Sequence, residues 1–345
     1  MTSNGTNRTL RLRQRPEGRI DDSTFELVEE PVPEIGPGEA LVRTLYLSID
    51  PTNRAWIGET PTYLPPVGIG EVMRAGGVGQ VMASNTDKFA VGDLVSGLTG
   101  WQDYVVAGDS GIPFTRVPKE LNVPPEMLVG LLGISGLTAW YGVERIGKPQ
   151  EGETFFVSAA AGSVGSIAGQ IAKIHGARVV GSAGTKEKCD WLIEELGFDA
   201  AVNRKDDDWR AQLKRACPDG IDVDFENVGG EMMEAVFAML NVHARVVLCG
   251  LISSYNDNEP PPGPRSFGNL LVNRVHLQGF IILDFLPHSQ EAAAQLVQWA
   301  MEGKLKDEHT VVEGLEKAPD AVNMLFDGDN KGKLMVRVAD VPVAA

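Results

Sequence analysis

The residues in this 345-residue chain best placed to do chemistry lie at 154–178, TFFVSAAAGSVGSIAGQIAKIHGAR. A short apolar run at 154–157 ends in small residues and opens into Gly162, Ser163, Val164 and Gly165. Val164, Ile167, Ala168, Ile171 and Ala172 then recur at helical spacing. The pattern predicts a strand, a tight turn and a helix. Such a turn directs backbone N–H groups and the positive helix end outward, as a pyrophosphate requires. Gly162 lets a phosphate approach the backbone, and Gly165 lets the helix pack closely on the strand. Ala160 stands where the fingerprint usually has its first glycine, so the motif is AxGxxG. Its plain alternative is a small-residue turn that binds nothing.

The following strand predicts which nucleotide. A free ribose 2′-hydroxyl usually meets an Asp or Glu about twenty residues past the glycines. Here the text is VVGSAGTKEK, with Ser182, Ala183 and Gly184 at the strand end and Lys186 and Lys188 close behind. A small, neutral strand end followed by cations suits a 2′-phosphate and favours NADP over NAD. Arg204, in VNRK, follows where another strand end could bring it near the same phosphate. For each cation the alternative is a solvated surface charge.

Metal and nucleophile chemistry have little to build on. A catalytic zinc takes about three His, Cys or carboxylate ligands, and a structural one commonly four cysteines. The chain up to Val106 has neither Cys nor His, and His175, His243, His276, His288 and His309 are scattered. Ser135 in GISG does not form a nucleophile elbow, and Cys249 ends an apolar strand as a packing residue would. What remains is metal-free hydride transfer, in which the protein polarises the acceptor by hydrogen bonding. A C=C bond conjugated to a carbonyl suits that chemistry: hydride adds to the β-carbon and charge collects on oxygen. Tyr255, in CGLISSYN at a predicted strand's carboxyl end, is the candidate donor, and Tyr63, in PTYLPP, is a candidate for the substrate pocket. An ordinary loop tyrosine is the alternative for each.

The elements that must hold these residues follow from pattern. Residues 25–106 carry short alternations separated by Gly and Pro, which predicts a compact β domain. Residues 124–147 read as one or two small-residue helices. Past the glycine turn come strand 178–182, helix 186–196, helix 208–216, strand 222–226, helix 232–240 and strand 245–249. That alternation predicts an α/β fold, a doubly wound parallel sheet with helices on both faces. A proline-rich loop at 257–266, a strand at 275–283, a helix at 289–302 and a strand at 333–338 complete the chain; the last strand is expected to return to the β domain.

Composition bounds the partners. An apolar fraction of 43% and a charged fraction of 23% are those of a globular protein. A net charge of −16 disfavours nucleic acid and anionic membranes, so any phosphate site must be a local cationic pocket. Three widely spaced cysteines, no membrane-length apolar run and no apolar signal core make the cytoplasm the expected compartment.

These motifs resemble the zinc-independent branch of the medium-chain dehydrogenase/reductase superfamily, and within it the leukotriene dehydrogenase/prostaglandin reductase group with plant alkenal double-bond reductases and bacterial curcumin reductase. The resemblance runs from about Leu27 to Val338 through LSIDPTNR, AAAGSVGSIAGQIAK, VVGSAGTKEK, ENVGG, CGLISSYN, PPPGP and LQGFII. It implies a GroES-like β domain at 1–130, a Rossmann domain binding NADPH at 131–303, and a segment at 304–345 that returns to the β domain. By the same resemblance, Gly162, Ser163, Val164 and Gly165 hold the diphosphate and Lys188 meets the 2′-phosphate; Gly184 and Arg204 are the further cofactor-binding candidates from the residues themselves. Asn227 and Asn330 contact the cofactor. Cys249, Gly250, Leu251, Ile252, Ser253 and Tyr255 line the nicotinamide side, and Phe280, Ile281 and Ile282 cover it. The resemblance also implies a homodimer formed through sheet edges.

The chain departs from the group in places. Arg204 stands where the group often has Tyr, and Thr52 and Asn53 replace Tyr-Met on the floor of the substrate pocket. The stretch 263–275 is short, and Asp284, Phe285 and Leu286 are its own. These departures bear on substrate size rather than reaction type. The expected activity is NADPH-dependent reduction of enones or alkenals. Quinone reduction, or NADPH binding as a scaffold or sensor, are the alternatives.

Overall fold

A computed structural model describes residues 5–59, 62–108, 114–257 and 263–340. Its chain divides into two units. The first comprises the described residues up to Val129, His309–Asp329 and those from Leu334; the second comprises Gly130–Glu308 and Asn330–Lys333. The C-terminal stretch is therefore shared. It stays with the second unit through Glu308 and rejoins it for Asn330–Lys333, up to the first residue of the last strand.

In the first unit, β1 (Thr6–Leu12) and β2 (Phe25–Pro31) pair antiparallel. They are followed by β3 (Ala40–Ser48), the short helix α1 (Thr52–Trp56), β4 (Gly76–Ser84), β5 (Leu94–Leu98), β6 (Tyr104–Ala107), β7 (Thr115–Arg116) and α2 (Pro125–Val129). β3 is the central strand: eight of its nine residues are buried, and it pairs antiparallel with both β4 and β6. The unit's main core packs Trp101 against Phe25, ring centroids 4.9 Å apart, with Leu12, Leu47, Ile57 and Val336 around them.

The second unit opens with α3 (Ile134–Tyr141), which runs into a single wide π-turn at Gly142–Gly147. Then come β8 (Thr154–Val157), α4 (Ser163–Ile174), β9 (Arg178–Ala183), α5 (Lys186–Glu194), β10 (Ala200–Asn203) and α6 (Trp209–Ala216). They are followed by β11 (Ile221–Glu226), α7 (Gly230–Phe237), β12 (Leu240–Leu248), α8 (Phe267–Val272), β13 (His276–Gly279) and α9 (Gln290–Met301). All five strand pairings are parallel and the spatial order is β10-β9-β8-β11-β12-β13. This is the doubly wound order, with its switch point between β8 and β11. Every residue of β8 is buried, as a strand covered by helices on both faces requires.

Back in the first unit, β14 (His309–Glu313) and α10 (Ala318–Asp327) lead to β15 (Lys333–Arg337), which lies antiparallel on β3 with Met335 opposite Ser48.

One sequence expectation changes, and another lies largely outside the described residues. The strand expected over 275–283 ends at Gly279, because its partner β12 ends at Leu248, opposite that residue. Beyond it the chain coils into short 3-10 turns at Ile282–Asp284 and Leu286–His288. Of the proline-rich loop at 257–266, residues 258–262 lie outside the described residues. Beyond them the backbone N–H of Ser266 donates to the Glu234 carboxylate at 2.9 Å.

His175 closes the C-terminal end of α4, its Nε2 2.5 Å from the Glu144 carboxylate and its ring edge-on to Trp299. The hydrogen bond to Glu144 raises the imidazole above its ordinary value. A charged imidazole at a helix C-terminus is favourable as well. Because the folded-state value is the higher one, the stabilisation is complete below the unfolded value and fades as pH rises through the folded one. His175→Gln should therefore lower the thermal midpoint at pH 6, with the difference from the parent protein largely gone at pH 9.

Candidate active site

The glycine turn joins β8 to α4 at the carboxyl edge of the parallel sheet. Its single left-handed residue is Ala159, with φ 48°. Ala160 fits in place of the usual glycine because Gly181 faces it from β9; a Cβ on Gly181 would lie 2.6 Å from that of Ala160. Gly165 is required by close approach, since a side chain there would come 2.5 Å from the Ala159 carbonyl oxygen. The first helical residue, Ser163, has a buried hydroxyl with no partner among the described residues. An orphaned donor beside the free N–H groups of a 12-residue helix fits a diphosphate.

The second subsite gathers cations at the end of β9. Arg204 leaves β10 with its N–H on the Ala183 carbonyl, and its guanidinium lies 3.6 Å from the Cβ position of Gly184. The Lys205 chain reaches the same point. Neither side chain is in an ion pair among the described residues, whereas Lys186 is bound to Asp190 at 2.6 Å. Thr185 caps α5 by accepting the Lys188 N–H at 3.3 Å. The Lys188 ammonium donates to the Asn330 carbonyl oxygen at 2.5 Å. Asn330 is buried, and its side-chain amide donates to the Gly332 carbonyl at 2.9 Å. The sequence reading left out Lys205.

At the switch point a buried network joins β8 to β11. The Glu226 carboxylate accepts from the Ser158 hydroxyl at 2.6 Å and from the N–H groups of Val228 and Gly229 at 2.5 and 2.9 Å. The Ser158 hydroxyl in turn accepts the Asn227 N–H at 2.8 Å, and the Asn227 amide donates to the Ser158 carbonyl at 2.8 Å. Cys249 and Gly250 both donate their N–H to the Glu226 carbonyl, Ile252 donates to Asn227, and Ser253 donates to Val228. The backbone run expected along the nicotinamide side thus uses most of its own donors to fasten itself to the Asn227 loop. Loss of solvation, and after it the charge of Glu226, pushes the Cys249 thiol up to about 12, so it stays neutral.

Tyr255 ends that run. Its hydroxyl lies 3.4 Å from the Leu251 N–H and 3.5 Å from the Cβ position of Gly250. Burial raises the phenol above its ordinary value, so it remains a donor at neutral pH. Farther along, Phe280 meets Phe285 edge-on at 6.4 Å, and Phe285 stacks on Tyr141 at 4.7 Å. The Tyr141 hydroxyl donates to the His288 carbonyl at 2.9 Å. These contacts hold Phe280, Ile281 and Ile282 in a fixed course past β13.

In the first unit, Asn53 is 1% exposed. Its amide oxygen takes the Asp50 N–H and its amide nitrogen donates to the Arg74 carbonyl. It fastens α1 rather than offering its amide to a substrate. Tyr63 is exposed, edge-on to Trp56 at 6.4 Å. Among the described residues no group of three or more His, Cys, Asp or Glu side chains could hold a metal ion.

Sequence reasoning missed Glu226 and Ser158. The signal was present in IDVDFE, where Asp222, Asp224 and Glu226 share one face of a strand in the middle of the sheet. Asp224 is completely buried and neither of its carboxyl oxygens has a hydrogen-bond partner among the described residues, while Glu226 accepts several hydrogen bonds. Burial raises both, and the one without donors keeps the proton. Asp224→Asn should leave stability within about 1 kcal/mol. Glu226→Gln turns an amide toward N–H donors and should cost about 1–3 kcal/mol in denaturant unfolding.

The N-terminal part matches a family model described as the N-terminal domain of oxidoreductase over residues 8–113. A second model, described as zinc-binding dehydrogenase, matches residues 163–300. The chain is 43% identical over 339 residues to the NADPH-dependent curcumin reductase of Escherichia coli, covering 96% of this chain and 97% of that protein. It is 38% identical to the NADP(+)-dependent 2-alkenal reductase of Nicotiana tabacum over 345 residues, covering 98% and 99% of the two chains. The crystal structure of CurA in complex with NADPH from Vibrio vulnificus superposes with a TM-score of 0.90 at 43% identity, covering 96% of this chain and 99% of that one. With this agreement along almost its whole length, the chain belongs to the zinc-independent branch of the medium-chain dehydrogenase/reductase superfamily, in the family of the curcumin, 2-alkenal and prostaglandin reductases.

Proposed function

We propose that the protein catalyses NADPH-dependent reduction of the C=C bond of α,β-unsaturated aldehydes or ketones. The observation that carries this reading is the half-buried phenol of Tyr255 beside Gly250 and Leu251, on the same sheet edge as the Ser163 helix start and the cation cluster around Gly184. The activities named for the curcumin and 2-alkenal reductases support it.

NADPH, when bound, supplies the hydride, which goes to the β-carbon of the substrate. The start of α4 and the Ser163 hydroxyl hold the diphosphate. Lys188, Arg204 and Lys205 neutralise the 2′-phosphate, a local cationic pocket in a chain whose net charge is −16. Asn227 and the 249–253 run orient the nicotinamide end. Tyr255 donates to the substrate oxygen as negative charge collects there, and a solvent proton completes the saturated product at the α-carbon.

We also propose a cytoplasmic homodimer. Its three cysteines are free thiols, and no helix among the described residues is long and apolar enough to cross a membrane. β13 is an edge strand exposed along its whole length, and beside it on the sheet edge Phe267, Leu271 and Val272 of α8 are exposed, Leu271 at 82%. A second copy would cover that apolar edge. Leu271→Asp should shift the sedimentation coefficient from dimer to monomer.

Turnover is read from NADPH consumption with an alkenal, an aryl enone, a quinone and a saturated aldehyde, with NADH and a chelator as controls. Enone-dependent consumption that is indifferent to chelator and saturates the C=C bond is the expected result. Consumption with the quinone alone, or tight NADPH binding without turnover, would overturn it. Tyr255→Phe should lower enone turnover from a few-fold to ~10³-fold, the upper figure being typical for loss of one oxyanion donor.

A further inference from the structure

The second unit's sheet edge carries an element from far along the chain. After α10, residues Asn330–Lys333 leave the first unit, lie against the cofactor turn and return as β15. The contact is specific at both ends. Gly332 forms a parallel bridge with Gly162, its N–H on the Ala161 carbonyl at 2.9 Å. Asn330 presents its carbonyl to the Lys188 ammonium and fixes its own amide on the Gly332 carbonyl. Lys331 stands over the Trp191 ring at 5.4 Å and 3.3 Å from Glu308. Lys188 and Trp191 are three residues apart on α5, on one helix face. The strap thus ties the start of α4 to the start of α5.

Gly332 is the residue on which the strap turns. Its φ is 65°, and a Cβ would fall 1.9 Å from the Glu308 carbonyl oxygen. The Lys333 N–H donates to that same carbonyl at 2.8 Å, so the oxygen cannot move aside without losing a hydrogen bond. No other residue type can occupy this point without displacing the strap.

We propose that the Asn330–Lys333 strap, through Gly332, is the positioning element that aims the Lys188 ammonium and thereby sets the preference for NADPH over NADH. The long lysine chain has many rotamers, and a carbonyl clamp at its tip removes that freedom before the phosphate arrives. The proposal rests on the reading that Lys188 meets the 2′-phosphate.

The test measures the dissociation constants of NADPH and of NADH for the full-length protein without substrate, from quenching of tryptophan fluorescence, and beside them kcat/KM for each cofactor with one enone at saturation; the NADPH/NADH ratio is read from both. The parent, Lys188→Ala, Gly332→Ala and the double variant are compared. Gly332→Ala should cut the NADPH/NADH ratio by about ten-fold, the scale of one charge-assisted hydrogen bond. In the Lys188→Ala background the same change should leave the ratio unaltered, because the two act as one unit. Equal losses with both cofactors, or additive effects on the ratio, would overturn the proposal and leave the strap a structural brace. A Lys188→Ala variant with an unchanged ratio would instead remove the phosphate reading, and the strap's role with it. If Gly332→Ala does not fold, Lys331→Ala carries the test. Loosening the strap at Trp191 and Glu308 should then lower the ratio by about two- to three-fold, and an unchanged ratio would count against the proposal.

Discussion

A buried carboxylate at the switch point is the interaction on which the site depends. Where β8 and β11 diverge, their ends leave polar backbone groups in a volume that water does not reach. Glu226 satisfies them by accepting from Ser158, Val228 and Gly229. In doing so it fixes Asn227, and through the Asn227 and Val228 carbonyls it fixes the 249–253 run that carries Tyr255 at its end. An acceptor with several donors is stable in a dry interior only as a complete set, so the loop has one conformation. Asp224, two residues earlier and without a donor, shows the contrast: the same side chain chemistry and depth, but a protonated group that organises nothing.

Charge imposes the second constraint. A chain with a net charge of −16 repels polyanions at long range, so affinity for a phosphorylated ligand must come from short-range geometry. The protein answers with a helix N-terminus, an orphan hydroxyl and a few cations turned toward one strand end. Near that end Lys186 pairs with Asp190, and the Lys188 ammonium donates to the Asn330 carbonyl.

Locally encoded features could be read from the text. The glycine turn and the alternation that makes a doubly wound sheet rest on interactions within a few residues, where backbone preference and hydrophobic period act directly. The resemblance to a known family extended that reading to Tyr255, Lys188 and Asn330. It did not predict what Asn53 does, because a buried amide spanning Asp50 and Arg74 looks like any other asparagine in sequence. Nor did it predict where β13 stops, since a strand's length is set by its partner, and β12 ends at Leu248.

The sequence by itself therefore determined the two-part α/β plan, the nucleotide turn and the residue types available for hydride chemistry without a metal. The tertiary structure decided how those residues are held. Ser158 and Glu226 are 68 residues apart, and Lys188 and Asn330 are 142 apart. Ala160 is tolerated only because Gly181 faces it from the neighbouring strand. Pairings at such separations have no period and no local propensity; they exist only after the sheet has brought distant strand ends to one edge.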